Sequence, residues 1–224
     1  MYKIETHLHT SEVSGCGQLR AADMIKRYHA AGYDTVFVTD HFQTTSLDPM
    51  GDISWEDKIT IFLSGYYRAK AMGDKLGITV LPAAEITFAG SPNHYLAYGI
   101  TRAFLNAHPD LNKLTIEEFA DIARENHLFL IQAHPFRDGH CYPTPEFVQG
   151  FEICNSNPRH NDENPKAAAS AAEHGMLITG GSDAHRVEDV ARSGIRSPFP
   201  IRTTEDYIRL LQEGVGEIFE EEPV

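Results

Sequence analysis

Short apolar blocks alternate along the chain with stretches whose apolar positions recur at helical period. Residues 2 to 8 read as a first strand, after which Leu19, Ala22, Ile25 and Tyr28 recur at near-helical spacing until Gly32 closes the segment. "TVFVTDH" follows as a buried strand, residues 56 to 75 as a helix, "GITVLPAAE" as a third strand and "HYLAYGI" as a shorter fourth. Thr115 and Glu118 make a capping box ahead of Ile116, Phe119, Ala120 and Ala123, which line one helix face. "HLFLIQAHP", "GFEICNS" and "MLITGGSDAH" supply three more strands. Between the last two, Asn164 and Pro165 suit the Ncap and N1 positions of an Ala-rich helix that Gly175 ends. A final helix runs from about Thr203 to Gly214 and leaves "EIFEEEP" as a solvated acidic tail. With no long linker or repeat, residues 1–224 are expected to form a single domain. The alternation implies an α/β fold with a parallel sheet, and about seven units favour a distorted (β/α)7 TIM-like barrel over an open doubly wound sheet.

The strand ends carry the chemistry. His7 and His9 end the first strand, Asp40 and His41 the second, Glu85 the third, His134 the fifth, and Asp183 and His185 the seventh. In a parallel barrel these ends converge on one face. Alternate side chains of a strand share a face, so the two-residue spacing lets His7 with His9, and Asp183 with His185, point inward together. Imidazole and carboxylate ligands suit Zn, Mn or Fe, and eight such groups are enough for two or three ions. Taken singly, each has a plainer reading: a hydrogen-bonded strand-end histidine, Asp40 as a helix cap, or His134 in a turn set by Pro135. Recurrence at successive strand ends favours ligation. Glu85 closes an apolar strand, where an unpartnered carboxylate would cost several kcal/mol. His29, His108, His127, His140 and His174 fit no such pattern and are expected at the surface or as caps.

Composition narrows the classes. A hydrophobic content of 42% with 23% charged residues is that of an ordinary globular protein, and no apolar run is long enough to span a bilayer. A cytoplasmic location is expected. The odd, widely spaced Cys16, Cys141 and Cys154 describe neither a disulfide framework nor a zinc knuckle, so reduced thiols are expected. A net charge of −13 argues against general nucleic-acid binding.

The ordered motifs "THLHTS", "VTDH", "AAEI", "HYLAYGI", "QAHP", "FEICNS" and "GGSDAH", which span residues 7 to 185, resemble those of the polymerase and histidinol phosphatase (PHP) family. The resemblance implies a distorted seven-stranded barrel whose trinuclear metal centre hydrolyses phosphoesters. It implies that His7, His9, Glu85 and Asp183 hold a first ion, that Glu85 bridges to a third ion bound by His94 and His134, and that His41 and His185 hold the second. His94 opens its strand rather than closing it, so its place as a ligand follows from the resemblance alone. One departure concerns the second ion. Where many members carry Asp or His after the second motif histidine, this chain has Ser14 and Gly15, leaving Glu12 or Cys16 as substitutes.

These readings lead to a metal-dependent phosphoesterase acting on a small phosphorylated metabolite or nucleotide through metal-activated water. Neither a G-x-S-x-G elbow nor a Walker loop is present in the sequence. Arg137, Arg159 and Arg186 follow three strand ends as candidate phosphate contacts, Arg159 foremost, and His160 is placed to protonate the leaving group. Alternatives are histidinol-phosphate hydrolysis, another metallohydrolase reaction such as amide hydrolysis, and a non-catalytic metal-binding or scaffold domain. The absence of an accompanying polymerase segment weighs against the last of these.

Overall fold

The computed structural model describes residues 1–88 and 90–221. Its elements in chain order are β1 (Tyr2–Glu5), α1 (Ala21–Ala30), β2 (Thr35–Val38), β3 (His41–Phe42), α2 (Thr44–Leu47), α3 (Trp55–Phe62), α4 (Ser64–Leu76), β4 (Thr79–Thr87), β5 (His94–Tyr98), α5 (Arg102–Ala107), α6 (Ile116–Glu125), β6 (Phe129–Ala133), β7 (Gly150–Asn155), α7 (Asn164–His174), β8 (Leu177–Gly181), β9 (Ser193–Ser197), α8 (Thr204–Glu213) and β10 (Glu217–Glu220). The strands form one sheet in the order β10-β9-β1-β2-β4-β5-β6-β7-β8, with β3 pairing β4. Just past the ends of β8 and β1, Ala184 and Leu8 form a parallel bridge that joins β8 back to β1 and closes the sheet on itself. The result is the nearly closed, barrel-shaped sheet expected.

The sheet is not wholly parallel. β5 runs antiparallel to both β4 and β6, and β9 is antiparallel to β1 and to β10. The strand–helix alternation breaks at the same region, because no α-helix joins β4 to β5 or β6 to β7. Two other expectations need correction. Residues 56 to 75 divide at Leu63 into α3 and α4, where Ser64 and Gly65 are weak helix formers. The acidic segment after Gly214 is no solvated tail: Glu217–Glu220 pair with β9, and Glu221 binds Lys3 Nζ at 2.8 Å and Arg196 Nη2 at 2.7 Å. Glu222 and Pro223 lie outside the described residues.

Local chemistry explains the rest. The capping box of Thr115 and Glu118 starts α6, and a second box of Thr203 and Asp206 starts α8. Left-handed Gly77, Gly175 and Gly214 end α4, α7 and α8. Asn164 is the first residue of α7 rather than its cap. Below the face that carries the strand ends, Phe37, Tyr98 and Tyr207 pack with ring centroids 4.9 to 5.0 Å apart and are fully buried. Burial of such side chains stabilises the fold by about 1.5–3 kcal/mol each. Above them the interior turns polar.

One helix contact connects the fold to that polar region. A Cβ on Gly65 of α4 would lie 2.2 Å from Thr10 Oγ1 and 2.5 Å from Asp40 Oδ2, so only glycine lets the helix approach. Gly65→Ala is expected to cost about 1–3 kcal/mol by overpacking, measured as a lower denaturation midpoint with an unchanged slope.

Candidate metal centre

The bridge between Leu8 and Ala184 sets the first half of the site. His9 N donates to Ala184 O at 2.9 Å and Ala184 N to His7 O at 3.3 Å, so the pairs His7/His9 and Asp183/His185 flank one contact. The other half comes from β3 to β6. His41 lies in register with Glu85, and His94 with both Thr87 and Ala133. Because β5 is reversed, a residue that opens it lies on the face where its neighbours end. That accounts for His94. His134 follows β6 directly and, like Asp183, has a left-handed backbone, with φ of 29° and 48° respectively. Such conformations cost of order 1–3 kcal/mol in non-glycine residues and concentrate at functional sites.

All eight expected ligands meet in one cluster. His7 Nε2 and His9 Nε2 are 3.2 Å apart, and each approaches Asp183 Oδ1, at 3.3 and 3.2 Å, and Glu85, at 3.5 and 3.3 Å. Glu85 faces both ways: Oε1 is 2.9 Å from His94 Nδ1 and 3.1 Å from His134 Nε2, while Oε2 is 2.8 Å from His41 Nδ1. Donor atoms lying within 4.8 Å of one another group as His7, His9 and Glu85; His41, Glu85 and His94; and His9, His41 and His185. His9 thus joins two groups.

The donor set fits divalent ions. Ligand atoms held about 2.0–2.2 Å from an ion stand about 3.0–3.5 Å from one another, the spacing seen here. Glu85 Oε2, Asp183 Oδ1 and His41 Nδ1 are buried and find no aligned hydrogen-bond partner among the described residues. Leaving such groups unsatisfied costs about 1–3 kcal/mol each, and cations among them remove that cost.

Surrounding groups aim the imidazoles. Glu152 Oε1 accepts from His7 Nδ1 at 3.0 Å, which turns Nε2 toward the cluster. His9 Nδ1 lies 3.3 Å from Ser14 Oγ, which in turn donates to Asp40 Oδ1 at 2.7 Å. His185 Nδ1 donates to the Asp183 carbonyl at 2.8 Å. Asp40, a candidate from its strand-end position, is occupied by Thr10 and Ser14 and supports the cluster from behind. Glu5 Oε1 accepts from the backbone N–H groups of Thr6, His7 and Ser182, tying the two sides of the bridge together. Burial raises its carboxyl to about 7. Neither Glu5 nor Glu152 was singled out from sequence, although Glu152 is a carboxylate between apolar neighbours in "GFEICNS". His29, His127, His140 and His174 are exposed and His108 is half-buried, away from the cluster as expected.

The charges around the site oppose burial. Desolvation pushes Asp183 and Glu85 up, but His7 and Arg137 around Asp183, and His94, His41 and His7 around Glu85, hold both well below the usual carboxylate range. Burial disfavours charge on His7 and His41. Asp183, Glu152 and Glu85 nonetheless hold His7 well above its ordinary value, and Glu85 with Cys16 lifts His41 to about 10. Burial and the neighbouring His185 and His41 lower His9, while burial and Arg137 lower His134 to about 3.

A cleft of about 260 Å³ opens at the cluster's mouth, lined by Cys16, Asn157, Arg159, His160, His185 and Arg186. Arg159 is there as expected, but its fork is committed to buried Asp189 through two bonds of 2.5 and 2.7 Å. Asp189 also accepts from the backbone of His185 and Arg186 at 2.8 Å each. Arg186 is freer: it approaches Glu188 only at 4.0 Å, and its Nε finds no partner among the described residues. His160 Nδ1 donates to Asp138 Oδ2 at 2.8 Å. Arg137 lies deeper, held by Asp162 and Asp183.

Two predictions follow from this geometry. His7 and His41 hold protons at neutral pH when no ion is present, and a ligating imidazole must be neutral. Zinc binding to metal-free protein at pH 7 is therefore expected to release roughly two protons, read as a dependence of the calorimetric heat on buffer ionisation enthalpy; heats independent of buffer would contradict this assignment. Glu152→Ala, which frees His7 Nδ1, is expected to weaken metal binding about 10–100-fold in competition with a chromophoric chelator.

Among the described residues no helix is long and apolar enough to cross a membrane. Residues 161–215 match the family described as PHP-associated. No curated protein matches the chain by sequence. A two-domain protein from Bacteroides vulgatus, described as containing a predicted PHP-like metal-dependent phosphoesterase, superposes with a TM-score of 0.71 at 16% identity over 98% of this chain. The chain spans 65% of that protein's length. PsfC from Pseudomonas syringae gives a TM-score of 0.68 at 17% identity, covering 98% of this chain and 91% of its own. An amidohydrolase from Chromobacterium violaceum, with bound sulfate and no metal, gives 0.60 at 16% identity, with 97% and 98% covered. The match over residues 161–215 and a barrel shared with a PHP-like protein agree with the resemblance that the motifs carry.

Proposed function

We propose that the protein is a metal-dependent phosphoesterase that hydrolyses a small phosphorylated metabolite or nucleotide. The observation that carries this reading is the cleft itself: arginines and an acid-paired histidine stand at the mouth of a buried cluster of carboxylates and imidazoles. His7, His9, His41, Glu85, His94, His134, Asp183 and His185 would hold two or three ions, with Zn, Mn or Fe suited to this donor set. Bound there, divalent ions would activate water for in-line attack and neutralise charge on the phosphoryl oxygens.

The chain's own groups do the rest. Arg186, with no close carboxylate, binds a phosphoryl oxygen through its guanidinium. Arg159 acts through Asp189, whose bonds to the His185 and Arg186 backbone fix the turn that carries both side chains. His160 donates Nδ1–H to Asp138, and as the imidazolium, which that carboxylate supports, it would pass its Nε2 proton to the leaving oxygen. The burial of the cluster keeps bulk water away from the carboxylates.

The test is a phosphate-release screen of the purified protein over sugar phosphates, nucleotides and histidinol phosphate, with metal content measured on the same sample. Release from at least one class is expected; a metal-loaded protein inert toward all of them would overturn the reading. Arg186→Ala is expected to lower kcat/KM roughly 10–100-fold, the worth of one charge-assisted bond, without changing Tm. Arg159→Ala should lower Tm as well, since it strands buried Asp189. His160→Ala should slow alkyl phosphates more than activated aryl phosphates, whose leaving groups need no proton.

A further inference from the structure

We propose that the Cys16 thiolate is a ligand of the ion held by His41 and His185, so that this chain fills one position of its metal centre with sulfur. The inference rests on the metal-centre reading above and asks which atom replaces the Asp or His that Ser14 and Gly15 do not supply. Ser14 is excluded because its hydroxyl is already engaged by Asp40, His9 and the His41 backbone. Gly15 has no side chain. Glu12 is turned away, its carboxylate accepting from Ala21 N at 2.9 Å at the start of α1.

Cys16 is held where a ligand is missing. Two residues beyond it, Gln18 N donates to His185 O at 2.8 Å, and Gly17 N donates to Ser14 O at 2.8 Å, so the loop is tied down on both sides of the cysteine. A Cβ on Gly17 would lie 3.0 Å from the Thr10 backbone, which shows how tightly the loop folds back on the segment that follows β1. The cysteine thereby faces the cleft that it lines together with His185. His185 and His41 are more than nine-tenths buried, and His41 Nδ1 has no aligned hydrogen-bond partner. His9 stacks on both, with centroids 4.2 Å apart in each case, and completes the donor group at this position. The other two cysteines are elsewhere: Cys141 Sγ donates to Pro92 O, and Cys154 belongs to β7.

A sulfur ligand alters selectivity. Thiolate is soft and polarisable, and it favours zinc or cobalt over manganese and magnesium, which prefer oxygen donors. Ligation forms a metal–sulfur bond from the thiolate, with no redox change. The ion at this position is therefore zinc-like even where its neighbours accept a harder metal.

Cobalt(II) titration of the metal-free full-length chain tests this without recourse to activity. Visible d–d bands together with a near-ultraviolet thiolate-to-cobalt charge-transfer band are expected. Cys16→Ser should lose the near-ultraviolet band and keep the visible ones, whereas Cys141→Ser should keep both. Visible bands without the charge-transfer feature in the unaltered protein, or its persistence in Cys16→Ser, would overturn the sulfur ligand while leaving the metal centre standing. No cobalt spectrum at all would overturn both, independently of any phosphatase result. Should Cys16→Ser fail to fold, the unaltered protein still decides: zinc should protect Cys16 from iodoacetamide, and equal alkylation with and without zinc would remove it from the site.

Discussion

The arrangement depends on how four buried carboxylates are compensated. Glu5, Glu85, Glu152 and Asp183 are at most 1% exposed, and charge in such surroundings must be paired or hydrogen-bonded. Each is answered differently. Glu5 is answered by backbone N–H groups and Tyr28, Glu152 by His7, the His134 backbone and Asn155, and Asp183 partly by Arg137. Glu85 has only imidazoles around it. Protonated His7 and His41 balance it when no ion is present, and once these imidazoles give up their protons to ligate, only cations can take over that role.

Two departures from a regular barrel make that balance geometrically possible. The bridge at Leu8 and Ala184 sets two ligand pairs side by side across the seam. The reversal of β5 delivers His94 from the start of a strand to a face otherwise built from strand ends. It also removes the helix between β4 and β5, and the crossover from β6 to β7 takes its place as a wall. That wall is held by polar contacts: Gln132 with Tyr142 and Thr144, and Asn93 with Tyr142.

The sequence showed the members of the cluster because spacing in a strand encodes facing, and the two-residue intervals of His7/His9 and Asp183/His185 survive into the structure. It also showed most helices, whose caps are local. It did not show β9 or β10, which are short and half polar and acquire their pairing from β1 and from β9 in turn, nor did it show the direction of β5. Strand direction depends on a neighbour's position, which no local pattern records. Arg159 shows the same limit, because its type and place suited a phosphate while the buried acid that claims it lies in another motif. The groups that aim the ligands, Glu152 and Ser14 among them, are chosen by three-dimensional proximity and leave little trace in spacing.

The seam has a bearing on the order of assembly. Leu8 and Ala184 lie far apart along the chain, and contacts between such distant positions are late and entropically costly to form. Until they meet, His7 and His9 are one half-site and Asp183 and His185 another, each too sparse to retain an ion. On the proposed reading, metal capture would proofread the fold: only a chain that had closed its sheet in register would acquire cations, and the cations would then clasp β1 to β8.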